Sequence, residues 1–308
     1  QGYWGHRNLF GKAEALRVEA SINRLGQTSD FNHIDVAAGI SFTKPGIFNP
    51  DTTLNASIKG KSENPDSYNS KSITAFVGFD YELNDTDTAK LGLEVDFTRV
   101  EDAFGEKNYL TTSIPVAFER DTRDNKLDPT EGFTASISAK PSYEALNSTF
   151  FTNVEGAVTG YYSLGENDQV VFAGKLGAGT LIGASDLKDV PATRRFYAGG
   201  GGSVRGYKYQ EISPYNADGK ATGGRSYTVA SVEARIKVTD TIGIVPFVDV
   251  GSVGSKMTPD FSDIRTGAGV GLRYATPFGP LRLDVAVPVN KYNGGSSYGI
   301  YAGIGQSF

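Results

Sequence analysis

The sequence predicts an all-β chain, a transmembrane antiparallel β-barrel, and three observations carry that prediction. Apolar and polar residues alternate with period two along most of the chain, as they do where successive side chains face opposite sides of a sheet. The alternating segments run to about ten to thirteen residues, the length at which a tilted strand crosses a hydrocarbon layer of roughly 30 Å, whereas strands of soluble sheets average about five or six. Short connections take turns with longer polar ones, as at the two ends of a membrane barrel.

Segmentation at the turn signals yields fourteen strands. Residues 1–10 read as the tail of a preceding strand, and the tight turn NLFG leads into strands at 13–23, 32–43 and 52–62. The last of these sets Leu54, Ala56 and Ile58 against Asn55, Ser57 and Lys59. The polar KSENPDSYNS precedes 71–83, and LNDTDTA precedes 89–100, where Leu91, Leu93, Val95 and Phe97 oppose Gly92, Glu94, Asp96 and Thr98. Arginine is expected to be costly at Leu93 and cheap at Glu94. Strand 109–120 ends at the acidic DTRDNKLDPTEG, and 132–143 follows, with Phe133, Ala135 and Ile137 against Thr134, Ser136 and Ser138. LGENDQ joins 150–163 to 169–183. After about forty residues without the pattern come 226–238, 242–253, 265–276, 280–289 and 298–308, with ATPFGP as the tight turn between the third and fourth of these. In 226–238, Ala230, Val232, Ala234 and Ile236 alternate with Ser231, Glu233, Arg235 and Lys237.

Composition excludes several function classes. With 39% hydrophobic and 11% aromatic residues the 308-residue chain folds, and with no cysteine it does so without disulfides. A net charge of −5 with no basic stripe argues against a nucleic-acid partner. No run of about 18 apolar residues forms a membrane helix, and QGYWGHRNLF lacks the parts of a signal peptide, so any targeting segment is expected to have been removed. Histidine occurs only at His6 and His33, which leaves little material for a catalytic triad or a metal cluster. The glycine-rich Gly267 to Gly271 sits inside an alternating strand with no following helix, and small residues in a crowded lumen explain it better than a phosphate loop. The stretch Asp121 to Gly132 lacks the spacing and central glycine of a calcium loop and reads as a structured turn. No catalytic residue, metal ligand or cofactor is therefore expected.

The forty-residue connection is the candidate functional element, and within it Ser203-Val204-Arg205-Gly206-Tyr207 stands out. An arginine followed by glycine can bring its backbone close to a wall and offer a planar fork to a carboxylate. Glu233 and Asp249 are the acids available on the following strands, while on local sequence alone a solvated loop cation also stays open.

RFYAGGGGSVRGYKYQEISP resembles the long sixth extracellular loop of the outer-membrane assembly superfamily that contains BamA and TamA. VASVEARIKV, PFVDVG, ATPFGPLRLDVAVPV and IYAGIGQSF follow in that family's order, NLFG and DTRDNKLDPTEGF resemble its periplasmic turns, and together they cover nearly the entire chain. YKYQEISP and GPLRLDVAVPV are more similar to TamA than to BamA or two-partner secretion transporters. The resemblance implies a 16-stranded barrel of the bacterial outer membrane that assembles or translocates other envelope proteins, autotransporters among them, without enzymatic activity. It implies outer-membrane lipids, client outer-membrane proteins and an inner-membrane-anchored TamB-like protein as partners. It also implies that Val204, Arg205, Gly206 and Tyr207 reach into the lumen, where Arg205 pairs with Glu233 and Asp249. Fourteen strands leave strand one and part of strand two unaccounted for, so residues 1–308 are expected to be an N-terminally truncated barrel domain without its POTRA domains. In the family the seam between first and last strands is a lateral gate. The last strand is expected to carry an insertion signal and one side of that seam, with Ile300, Ala302, Ile304 and Phe308 on one face, Phe308 at the membrane boundary, Gly303 and Gly305 thinning the other face, and Gln306 breaking the apolar row. A passive porin-like channel, a two-partner secretion transporter and a barrel hydrolase are the alternatives.

Overall fold

The alternation becomes one antiparallel sheet in the computed structural model, which describes residues 2–23, 35–165 and 168–308. Its strands are β1 (Gly2–Arg7), β2 (Ala15–Asn23), β3 (Asp35–Pro45), β4 (Thr52–Glu63), β5 (Asn69–Glu82), β6 (Asp87–Asp102), β7 (Gly105–Ser113), β8 (Val116–Asp121), β9 (Gly132–Glu144), β10 (Thr149–Leu164), β11 (Val170–Gly183), β12 (Ser226–Lys237), β13 (Ile242–Gly254), β14 (Arg265–Tyr274), β15 (Leu281–Pro288) and β16 (Gly299–Ile304). The stretch 1–10 expected as a strand tail contributes β1, which pairs with β2 from Gly2↔Ala20 to Arg7↔Ala15. The beginning of the strand expected at 32–43, with His33, lies outside the described residues.

Two expected boundaries are corrected. The strand expected at 109–120 is two segments, β7 and β8, because Pro115 has no N–H to give the ladder and breaks it. Both segments pair with β6 and with β9, so sixteen segments fill fifteen positions. Ile114 N donates to Pro141 O at 3.0 Å and Gly92 N to Pro115 O at 2.9 Å, which holds the neighbouring strands together across the break. The last strand ends at Ile304 rather than at 308, because Gly305 takes φ +87° and turns the chain out of the ladder.

An odd number of antiparallel positions makes β1 and β16 run in the same direction, and among the described residues each has one ladder partner.

The two faces of the sheet follow the sequence pattern. Leu91, Leu93, Val95 and Phe97 are 54, 46, 40 and 49% exposed on the outer face, while Asp96 between them is buried and accepts from Thr74 Oγ1 at 2.7 Å. Among the described residues no helix is long and apolar enough to cross a membrane, and the strands are the crossing elements. Leu93→Arg is expected to destabilise the barrel by about 2–4 kcal/mol if that residue lies near the bilayer midplane, measured by urea unfolding in lipid. Glu94 is not the neutral lumen position the alternation suggested, because its carboxylate pairs with Arg194 and accepts from Lys140 Nζ at 3.0 Å. Ser57→Arg, on the inner phase of β4, is the appropriate comparison and is expected to cost under about 1 kcal/mol. Equal costs would refute the assignment of faces.

The lumen is filled from the side of the longer connections by residues 184–225, which fold back on themselves through the bridges Phe196↔Gly224, Ala198↔Ile212 and Tyr215↔Ala221. Ala198, Val204, Tyr207, Ile212 and Val229 form one apolar cluster there, and Phe151, Leu181, Val190 and Phe196 another. This loop is where the buried side chains concentrate.

Candidate functional site

The tip of the loop is held by charge. Arg205 is 1% exposed and lies among three carboxylates. Its Nε and Nη2 form a two-pronged fork on Asp249 at 2.7 and 2.8 Å, and its own backbone N–H donates to the same carboxylate at 3.0 Å. Nη1 donates to Glu233 at 2.7 Å and to Asp284 at 3.1 Å. The guanidinium lies 3.4 Å from the centroid of the Phe247 ring, so one face is covered by an aromatic while the edge meets the acids. Burial acts against the charge of Arg205, but the bonds to Asp249 and Glu233 outweigh it and hold its pKa above the ordinary arginine range. The expected pairing of Arg205 with Glu233 on β12 and Asp249 on β13 is what the geometry contains, and the solvated-cation alternative is excluded by the burial.

The other motif residues are equally enclosed. Val204 is fully buried and packs against the space left by Gly251, where a Cβ would meet its Cγ2 at 2.6 Å. Gly206 has φ +100°, and a Cβ there would sit 2.7 Å from the Val287 carbonyl carbon on β15, so no side chain fits. Its N–H donates to Tyr301 Oη of β16 at 3.0 Å, and that hydroxyl donates to Tyr207 O at 3.1 Å. Tyr207 donates its hydroxyl to Asn290 O at 2.9 Å.

The glycine stripe of β14 serves this site. A Cβ at Gly267 would overlap the Arg205 carbonyl oxygen, one at Gly269 would meet the Phe247 ring at 2.5 Å, and one at Gly271 would overlap the Asp284 carboxylate. These small residues give the crowded lumen expected from the sequence, shaped for one arginine. Gly267→Ala is expected to cost about 1–3 kcal/mol by forcing the loop tip off the wall, read as a lower midpoint of urea unfolding.

Asp284 was missed by sequence reasoning, although it has a signal. It is a lone acid on the inner phase of β15, between the outward Leu283 and Val285, and it also accepts from Arg273 Nη1 at 2.5 Å. Arg235 on β12 adds a further cation, 3.3 Å from Glu233. A second buried pair was missed as well: Arg195 and Asp102 lie 2.7 Å apart with side chains 0 and 3% exposed, at the end of β6. Arg194 beside it pairs with Glu94, so the loop is tied by charge to β6 as well as to β12, β13 and β15.

In the last strand, Ile300 and Ile304 face outward as expected, and Gly303 lies on the inner phase beside the Arg282 guanidinium. Phe308 does not share the outward face. After the turn at Gly305 its ring enters the lumen, packs on Tyr161, Val171 and Ala173, and lies 5.7 Å from the Arg235 guanidinium. Period two stops predicting faces where the ladder stops.

The Omp85 superfamily domain matches residues 8–308. The chain belongs to the Omp85 superfamily. The outer membrane protein assembly factor BamA of Nitratidesulfovibrio vulgaris is 24% identical over 308 residues, covering 95% of this chain and 37% of that protein. BamA of Neisseria meningitidis is 22% identical, covering 92% and 42%. This Omp85 chain thus spans less than half the length of these curated relatives. Among solved structures, BamA from Haemophilus ducreyi lacking POTRA domains 1–3 superposes with a TM-score of 0.80 at 20% identity, over 97% of this chain and 65% of that one. CdiB from Acinetobacter baumannii superposes at 0.66 and 15% identity, over 96% and 54%. These superpositions show the fold that the chain shares with those structures.

Proposed function

We propose that this chain is the barrel domain of a non-enzymatic assembly factor of the bacterial outer membrane, which helps to insert or secrete other envelope proteins. The observation that carries the reading is the long loop whose Arg205 is locked inside the sheet on Asp249, Glu233 and Asp284, in a chain that matches the Omp85 superfamily over residues 8–308. β16 is tied to that loop through Tyr301, so the last strand and the lock are one mechanical unit. In this reading a client strand adds to the backbone edge of β16 and gains main-chain bonds there. The BamA names of three relatives support outer-membrane lipids and client outer-membrane proteins as partners.

Autotransporter clients, a TamB-like partner anchored in the inner membrane and a TamA-like division of labour are the finer form of the proposal, supported by YKYQEISP and GPLRLDVAVPV. A two-partner secretion transporter is the second reading. A test is reconstitution into liposomes with a urea-denatured client barrel, whose folding is followed by heat-modifiable mobility. Faster client folding than in empty liposomes supports assembly, whereas steady ion conductance with no effect on folding rejects it in favour of a passive channel. Secretion of a dedicated partner without barrel insertion selects the transporter reading. Phe308 belongs to the proposed insertion signal, and its deletion is expected to slow membrane assembly of this chain; unchanged assembly rejects that role.

A further inference from the structure

Gln306 and the acidic turn between β8 and β9 are two features that the locked loop does not by itself explain, and they meet. Gln306 Nε2 donates to Asp128 Oδ1 at 2.8 Å, and Gln306 N donates to Leu127 O at 3.1 Å. The turn is braced by its own hydrogen bonds. Asp124 accepts from Thr130 N at 3.0 Å and Glu131 N at 3.2 Å, Asn125 accepts from Leu127 N at 2.8 Å, and Arg123 forks onto Asp121 at 2.9 and 2.8 Å. The segment it grips, 305–308, has left the ladder and lies in the lumen.

From there two chains of polar contacts run back to Arg205. In one, Asp128 meets Gln306, whose Oε1 accepts from Arg273 Nε at 2.8 Å, and Arg273 reaches Asp284 and so Arg205. In the other, Arg235 donates to Pro129 O at 3.2 Å and to Phe308 O at 2.9 Å, and holds Glu233, which holds Arg205. Arg235, Arg273, Glu233 and Asp284 are all at least nine-tenths buried, so each link is poorly screened by solvent.

The geometry points to a clasp: the turn Asp121 to Gly132 holds the end of β16 inside the lumen, and the clasp and the Arg205 lock are coupled through Arg273 and Arg235. This inference rests on the assembly reading and adds its regulation, since β16 can change partners at the seam only when the clasp opens. Asp128, Gln306, Arg235 and Arg273 act as positioning residues for the last strand.

Two variants of the full-length protein test it. Gln306→Leu removes both side-chain bonds, and native-state hydrogen exchange is expected to rise at least about tenfold for the amides of 305–308 and about threefold for Arg205 and Gly206. Unchanged exchange at 305–308 overturns the clasp, and a rise confined to 305–308 overturns the coupling. The chain has no cysteine, so the pair Asp128→Cys and Gln306→Cys reports cleanly and covers the case in which the leucine variant fails to fold. A disulfide is expected on mild oxidation, and its absence from folded protein overturns the contact. In liposomes the oxidised pair is expected to lose at least tenfold in client insertion and to recover with reductant, and equal insertion in both states overturns the regulatory role. If the unmodified protein inserts no client, the assembly reading fails, while exchange and crosslinking still decide the clasp.

Discussion

Replacing Arg205 by leucine is expected to destabilise the folded barrel by about 3–5 kcal/mol, the range for removing one partner of a buried ion pair. The three acids do not suffer equally. Glu233 keeps Arg235 at 3.3 Å, and Asp284 keeps Arg273 at 2.5 Å and Arg282 at 3.8 Å. Asp249 keeps no cation in contact, only the hydroxyl of Ser231 and the backbone N–H of residue 205, so it becomes the uncompensated buried charge. Asp249→Asn added to the leucine variant is therefore expected to recover more stability than Glu233→Gln added to it. Arg205→Lys is expected to recover little, because an ammonium cannot give the fork to Asp249 and also reach Glu233 and Asp284. Midpoints of urea unfolding in detergent, read by heat-modifiable mobility, check the order. If Arg205→Lys unfolds at the wild-type midpoint, the fork geometry is not what stabilises the site.

The second large effect is expected at Asp102. Asp102→Ala leaves the Arg195 guanidinium buried without its counter-charge, at a cost of about 3–5 kcal/mol. The cost falls toward the lower end, because Arg195 still donates to Val190 O at 3.0 and 2.7 Å and to Thr222 O at 3.1 Å, and its guanidinium lies 4.9 Å from the Phe104 ring centroid. Asp102→Leu combined with Arg195→Leu is expected to be less harmful than Asp102→Ala alone, because no charge is then left unpaired. A double-mutant cycle by urea unfolding measures this. A double variant worse than the sum of its singles would mean that Arg195 acts through packing rather than charge.

These two sites divide the loop's attachment between β6 in the middle of the strand order and β12, β13 and β15 towards its end, and neither alone accounts for how the loop is held. Releasing Asp102 from Arg195 is expected to loosen the loop at residue 195 alone, while Arg194 stays on Glu94 and the tip stays on β12, β13 and β15.

The faces of the sheet were legible in the sequence because alternation is a local property: Leu93 and Asp96 differ in environment simply by parity along β6. The same parity put Glu233 and Asp249 on the inner phase, and the resemblance of SVRGY to a known loop supplied their partner. Asp284 carries the same parity signal, yet nothing local says that β15 comes round to the arginine that β12 and β13 already hold. That is set by how the sheet curves round the loop. Arg195 and Asp102 are far apart in the chain and meet only because the loop folds back into the lumen, so no spacing announces them. Phe308 was misplaced for a related reason, since its parity holds only as long as the ladder does and Gly305 ends the ladder. What the sequence by itself determined is strand identity, side-chain phase and the loop that matters. Only the tertiary structure decided which charges are neighbours, because burial on the inner face of a curved sheet, and not position along a strand, selects which carboxylate must have a cation.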